Sequence, residues 1–223
     1  MSSPTSTPRD ARPKTPPSTQ NGASQASKPA PKPFPSVTGG CTCNAIRYRL
    51  SKPPLFVYAC HCPDCQKNTG SAFALFLNIE THCIEIQTPT TPVLVTQPKR
   101  PGLVYACYAC PECKTELWSA NTPLGQVIAD VRVGTLDFPG LMEPDVHSFV
   151  ESKMGWLVLP QGARTVTRDF RFREVWPKSS LRRLDVCLKR AAEAAERTPT
   201  AGEFGGEEGE DDEAFERRRI WRN

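Results

Sequence analysis

The sequence predicts an all-β domain with low-complexity ends and one C-terminal helix. Three observations predict it. Short runs rich in β-branched and aromatic residues recur between residues 37 and 177, separated by Pro, Gly, Asn and Asp. Residues 1–36 hold nine Pro and 11 Ser/Thr and, after Met1, one large apolar residue, Phe34. Beyond residue 178 the apolar spacing changes to three and four.

The elements follow in order. Residues 1–36 cannot bury enough apolar surface to offset their ordering entropy, so they are expected to be a disordered tail. Ala45 to Leu50 alternates apolar and polar residues, as a half-buried strand does. Further strand candidates are Leu55 to Ala59, Ala72 to Ile79, Ile84 to Ile86, Val93 to Thr96 and Leu103 to Ala106. Val127 to Val133, Ser148 to Val150 and Trp156 to Leu159 complete the set. Turn signals stand between them at Lys52-Pro53-Pro54, Pro89, Pro98 to Gly102, Pro123 to Gly125 and Pro139-Gly140. Many short strands at such spacing suit a single β domain over residues 37–177, long enough to bury its own core. In the last part, residues 178–223, Leu181, Leu184, Leu188, Ala191 and Ala195 mark one face of a helix that packs on the domain or a partner. The acidic run Glu207 to Glu213 and then Arg217-Arg218-Arg219 read as a solvated, disordered end.

Charge and hydropathy exclude some functions. Of 223 residues, 28 are Lys or Arg and 24 are Asp or Glu. The three parts carry net charges of +4, +1 and −1, so the domain is nearly neutral. Such a domain is not built around nucleic-acid phosphates. Nothing approaches the roughly 18 continuous apolar residues of a membrane span. The polar, proline-rich beginning lacks the apolar stretch of a secretory signal. An intracellular, cytoplasmic address is expected, with the nucleus as the alternative.

Cysteine carries the chemistry. Nine of the ten cysteines lie between Cys41 and Cys113. Eight of these nine form the groups Gly39-Gly40-Cys41-Thr42-Cys43, Cys60-His61-Cys62-Pro63-Asp64-Cys65, and Cys107-Tyr108-Ala109-Cys110-Pro111-Glu112-Cys113. Zinc prefers four tetrahedral ligands and binds thiolates well, and two thiolates of one tight turn reach the same ion. Three such groups in 73 residues point to metal rather than to disulfides or small buried hydrophobes.

Together these segments resemble the family of glutathione-dependent formaldehyde-activating enzymes and centromere protein V. The family pattern is G-G-C-x-C-G and a strand, then C-x-C-x-x-C and a glycine, then F-C-x-x-C-G-T-x-L. Its counterparts here are Gly39 to Tyr48, Cys60 to Gly70, and Ala109 to Leu117. Gly134-Thr135-Leu136-Asp137 and His147 to Trp156 extend the resemblance, which spans about residues 37–176. It implies an all-β fold of twisted, tent-like sheets holding two Zn²⁺ ions. It implies that Cys41, Cys43, Cys110 and Cys113 form a closed structural site, and that Cys60, Cys62 and Cys65 hold a second ion with three ligands. Four thiolates leave no free position, whereas three leave one for water or substrate. A thiol entering there loses its proton and becomes nucleophilic.

The implied activity is a carbon–sulfur lyase like S-(hydroxymethyl)glutathione synthase. Glutathione thiolate adds to formaldehyde, and Cys60, Cys62 and Cys65 are the catalytic metal site. The alternatives are a lyase acting on another thiol adduct, or a non-catalytic, zinc-stabilised binding module like centromere protein V. In that module the basic tail would contact microtubules, chromatin or another anionic surface. The tail's five cations, without a dense run, speak against it. A small-molecule thiol is the expected partner; a membrane or nucleic acid is not.

Several positions depart from the pattern or stay open. Asn44 and Lys114 replace knuckle glycines, where left-handed geometry suits Asn and suits Lys less. Cys107 is extra: it either closes the three-cysteine site or is a buried strand cysteine. His61 stands between two ligands; three adjacent ligands are sterically awkward, so it is expected beside the site or exposed. His82 is expected at the surface, His147 in packing, hydrogen bonding or catalysis, and Cys83 and Cys187 as structural cysteines. Arg132, Lys67 and Arg47 are candidates for substrate carboxylates but are expected as exposed strand charges. Ser71 and Phe73 are candidates for a pocket lining or an apolar strand start.

Overall fold

A computed structural model describes residues 37–100, 103–119, 124 and 127–197. The expected tails, at 1–36 and beyond 197, lie outside the described residues, as do Pro101, Gly102, Pro123 and Gly125 of the turn signals. Among the described residues, ten strands form two sheets. The strands are β1 (Val37–Gly40), β2 (Arg47–Leu50), β3 (Phe56–Cys60), β4 (Ala74–Glu80), β5 (Ile84–Ile86), β6 (Val93–Arg100), β7 (Leu103–Ala109), β8 (Glu116–Ser119), β9 (Ile128–Arg132) and β10 (Val146–Ser148). The small sheet runs β1-β2-β5 and the large one β10-β3-β4-β9-β8-β7-β6. All pairs are antiparallel except β10 with β3. The helices are α1 (Pro63–Thr69), α2 (Phe172–Val175) and α3 (Lys178–Arg197). The protein is thus mostly β, with a C-terminal helix, as the sequence predicts. None of the described helices is long and apolar enough to cross a membrane.

Alternation sorts the large sheet into two faces, because successive strand residues point to opposite sides. One set, Val57, Leu77, Ile79, Trp118, Ala129 and Val131, joins Tyr48 and Leu50 of the small sheet, and Ile46 just before it, in the main apolar core. The opposite set includes Phe56, Tyr58, Phe76, Asn78, Glu80, Asp130 and Arg132. This second face is partly polar, and α3 covers one end of it. Leu184 is fully buried there with Leu55, Phe56, Ile128 and Trp176, and Leu181 and Leu188 pack alongside. The helix is also pinned by charge. Arg183 grips Glu80 with both arms, at 2.9 and 2.5 Å. Burial alone would raise the Glu80 pKa, but this guanidinium outweighs it and holds the carboxyl below its usual range.

Three expectations need correction. Trp156 to Leu159 is no strand: the segment is an irregular turn in which the Leu157 N–H donates to the Met154 carbonyl at 3.0 Å. Its apolar run is real, but Trp156 and Val158 are 72% and 87% exposed, so there is no core for it to face. Ser148 to Val150 is displaced: the strand is Val146–Ser148, and Val150 begins a 3-10 turn. The Pro98 turn signal lies inside β6, which is tolerated because β6, among the described residues, is an edge strand paired with β7 alone.

Candidate functional site

The four-cysteine group joins the two sheets. Cys41 and Cys43 lie in the turn between β1 and β2, whereas Cys110 and Cys113 lie in the turn between β7 and β8. Their four sulfurs all fall within 4.8 Å of one another. Cys41 Sγ is 3.5 Å from Cys43 Sγ, and Cys43 Sγ is 3.8 Å from Cys110 Sγ. Tetrahedral zinc with bonds of about 2.3 Å would space its sulfurs about 3.8 Å apart, so the donor set fits that ion. Both turns are built alike. Asn44 and Lys114 adopt left-handed backbone, with φ of 62° and 61°, and their N–H groups donate to the Cys41 and Cys110 carbonyls, each at 3.1 Å. Thr42 and Thr115 tie one turn to the other, their hydroxyls 3.0 Å apart. The Thr115 hydroxyl also meets Cys113 Sγ at 3.0 Å, and Thr115 hydrogen bonds pull the Cys113 pKa down to about 5.

Close backbone approach explains the paired glycines before Cys41. A Cβ on Gly39 would come within 2.6 Å of the Thr135 carbonyl oxygen and the Tyr48 ring. One on Gly40 would come within 2.5 Å of the Ile46 carbonyl oxygen.

The three-cysteine group is local. Cys60 ends β3, Cys62 caps α1, and Cys65 lies in the first turn of that helix, where its N–H donates to Cys62 Sγ at 3.3 Å. Pro63 at the helix start and left-handed Gly70 at its end delimit α1 to seven residues. The three sulfurs lie within 4.8 Å of one another, and no fourth His, Cys, Asp or Glu among the described residues joins them. Hydrogen bonds from Cys60, then Cys65, pull the Cys62 pKa far below the usual thiol range. A thiolate there is a ready metal donor. Phe76 and Ala74 pack on Cys60, with Cys62, Cys65, Tyr58 and Phe149 beside them.

Polar groups build the surrounding wall. His61 is fully buried, and its Nε2 lies 3.0 Å from Nδ1 of buried His147. Burial lowers the pKa of both imidazoles. Gln66 Nε2 donates to the carbonyls of His61 and Ser152, at 2.7 and 2.9 Å, fastening α1 to the segment after β10. Tyr58 donates its hydroxyl to Asp130 at 3.0 Å, and Asn78 donates to the same carboxylate. Burial raises the Asp130 pKa to about 6, although both hydrogen bonds oppose the rise.

The structure brings all seven expected cysteines into the two expected groups. Cys107 belongs to neither: it is a buried β7 residue opposite Val95 and Ser119, so it does not close the three-cysteine site. His61 is not exposed but part of the wall. Arg132 is not an exposed strand charge either, since its side chain is 11% exposed. Arg47 is paired with Asp137 at 2.5 Å, and Lys67 is exposed. Phe73 lies against His61 with ring centroids 5.2 Å apart, whereas Ser71 is exposed. His82 is exposed and Cys83 and Cys187 are buried, as expected. Sequence reasoning missed Tyr58, Asn78, Asp130 and Gln66. The available signal was a polar residue inside each of two apolar runs, Asn78 in β4 and Asp130 in β9.

No curated protein matches the chain. One similar solved structure is the crystal structure of a Rhodobacter sphaeroides protein, 16% identical, with a TM-score of 0.36, covering 48% of this chain and 96% of that one. The model of the family described as glutathione-dependent formaldehyde-activating enzyme matches residues 36–152, which contain both cysteine groups. The chain belongs to that family.

Proposed function

We propose that the protein is a zinc-dependent carbon–sulfur lyase that adds the thiolate of glutathione to formaldehyde, giving S-hydroxymethylglutathione. The observation that carries this reading is the three-donor cluster of Cys60, Cys62 and Cys65. It offers one thiolate fewer than tetrahedral zinc accepts, beside a second cluster that offers all four. A zinc ion held there would supply Lewis-acid stabilisation of a substrate thiolate at neutral pH.

The chain's own residues do the rest. Cys62 and Cys65 present their sulfurs from the cap and first turn of α1, and Cys60 presents its own from the end of β3. Phe76, Ala74 and Phe149 line the cysteines with apolar surface, which limits water and strengthens electrostatic interactions. In the forward direction the thiol S–H is lost, the C–S bond forms, and the carbonyl oxygen takes a proton. The reverse reaction breaks the C–S bond. Holding thiol and aldehyde together replaces a bimolecular encounter with an oriented one. The closed cluster of Cys41, Cys43, Cys110 and Cys113 is assigned a structural zinc in the same reading.

The test is the rate of S-hydroxymethylglutathione exchange measured by NMR, with zinc-loaded protein against buffer and against Cys62→Ser. Acceleration present in the parent and lost in a folded Cys62→Ser variant is expected. No acceleration by fully loaded parent protein would overturn the assignment in favour of another thiol substrate or a binding module.

A further inference from the structure

Helix α1 carries two of the three clustered cysteines, yet none of its residues is buried. A seven-residue helix is too short to persist in water on its own propensity. Beyond the partial packing of Cys62 and Cys65 on Cys60, Ala74 and Phe76, other contacts must hold it against the sheet. Gln66 is one tether, through the carbonyls of His61 and Ser152. The other starts from β9. Arg132 Nη2 donates to Oδ1 of Asn68, which lies three residues after Cys65 and so on the same side of the helix.

The Arg132 guanidinium is itself fixed from the sheet side. Its Nε donates to Glu116 Oε1 at 2.9 Å, its Nη2 forms an ion pair with the same oxygen at 2.8 Å, and Nη2 reaches the Tyr105 hydroxyl at 3.4 Å. Its carbon Cζ lies 4.5 Å above the centre of the Phe76 ring, which packs on Cys60. One planar cation therefore spans β8, β4 and α1, a task its fork of donors suits and a lysine's point charge does not.

We propose that Arg132 is a positioning residue for the three-cysteine metal site, acting through Asn68 to fix the helix that carries Cys62 and Cys65. The inference rests on the reading that this cluster binds zinc. Arg132 need not touch substrate or metal to act. Outer groups of this kind typically change metal affinity about 10–100-fold when removed.

The experiment is a zinc titration against a chromophoric chelator, with cobalt absorption spectra of the same proteins. Asn68→Ala cuts the tether while leaving the Arg132–Glu116 ion pair intact, so the fold is retained. Its second zinc is expected to bind about tenfold more weakly, the low end of that range, with the tighter zinc unchanged and the thiolate–cobalt bands of the weaker site shifted. Asn68→Asp keeps an oxygen facing Arg132 and is expected to bind both ions at least as tightly as the parent. Unchanged affinity in Asn68→Ala, or equal weakening in both variants, would overturn the proposal. A parent protein that takes up one zinc would instead overturn the reading on which it rests.

Discussion

The two cysteine groups present the same donor atom in different settings, and the difference lies in what each connects. The four-cysteine group gathers ends of chain 67 residues apart, Cys43 and Cys110, and fastens the small sheet to the large one. It borders the main apolar core, which includes Cys41 and Cys110 themselves. The three-cysteine group spans six residues, closes no long loop, and sits in a wall of histidine, carboxylate, amide and guanidinium. A long closure removes more unfolded-state entropy than a local one. Metal at the first group should therefore govern folding, and metal at the second should govern chemistry.

The largest expected effect tests that division. Cys110→Ser should cost on the order of ten kcal/mol, the scale of a structural zinc site, against total stabilities of about 5–15 kcal/mol for ordinary domains. It should yield unfolded or insoluble protein by near-UV circular dichroism and solubility. Cys62→Ser should keep the parent spectrum and unfold within a few degrees of it, while losing one zinc. A folded Cys110→Ser beside an unfolded Cys62→Ser would reverse the comparison.

The second test concerns the polar wall. The Asp130 carboxyl has its pKa raised by burial from 3.8 to about 6. Between these values the native state holds a proton that the unfolded state releases. The stabilising contribution is thus full below about pH 4 and is lost as pH rises through 6. At about 1.4 kcal/mol per pKa unit, the loss is on the order of 3 kcal/mol. Urea unfolding of the parent and Asp130→Asn should show the parent losing that amount relative to the variant between pH 4 and pH 7.5. A pH-independent gap would mean that Asp130 is ionised throughout.

What the sequence disclosed follows the same line. The three cysteine segments are legible because thiolate chemistry is tied to short spacings that survive without knowledge of the fold, whereas the joining of Cys41 and Cys43 to Cys110 and Cys113, 67 residues from Cys43 to Cys110, is implied only by the family resemblance. The polar wall is not legible, because it is assembled by register. Asn78 meets Asp130 only when β4 and β9 pair, and His147 reaches His61 only because β10 runs parallel to β3. Helix α1 was hidden too, since its seven residues show no apolar periodicity. Arg132 looked like a surface charge because nothing in its neighbourhood says that Glu116 and Asn68 will cover it. By contrast, the strand pattern of β2, β3, β4 and β9 is legible from local alternation and apolar runs, and fails at Trp156 to Leu159, where no strand among the described residues pairs.

A middle-sized effect is expected at the turn entering the four-cysteine group. Gly39→Ala forces its methyl to within 2.6 Å of the Thr135 carbonyl oxygen and the Tyr48 ring, which is itself buried and hydrogen-bonded to Thr135 at 2.6 Å. Neither neighbour can easily withdraw, so overpacking should cost about 1–3 kcal/mol. Urea midpoints would measure it. Gly70→Ala, at the end of α1, has open space around its Cβ and pays only for left-handed backbone. A Gly39→Ala cost no larger than that of Gly70→Ala would show that the turn yields more than its contacts suggest.

The smallest effect separates the two turns of the four-cysteine group. Asn44 and Lys114 share nearly the same left-handed φ, yet their side chains differ in how they meet it. Asn is tolerated there because its short polar group suits left-handed turns, whereas a long side chain carries the full steric penalty of about 1–2 kcal/mol. Lys114 recovers part of this through its ammonium, which donates to the Pro111 carbonyl at 2.5 Å, though the lysine is exposed and water competes for that bond. Replacing it with glycine relieves the strain but adds unfolded-state entropy, which takes back about 0.5–1 kcal/mol. Lys114→Gly should therefore stabilise the zinc-loaded protein by about 0.5–1 kcal/mol, and Asn44→Gly by less. Equal gains at both positions would mean that the backbone alone, and not the side chain it carries, sets the strain of these turns.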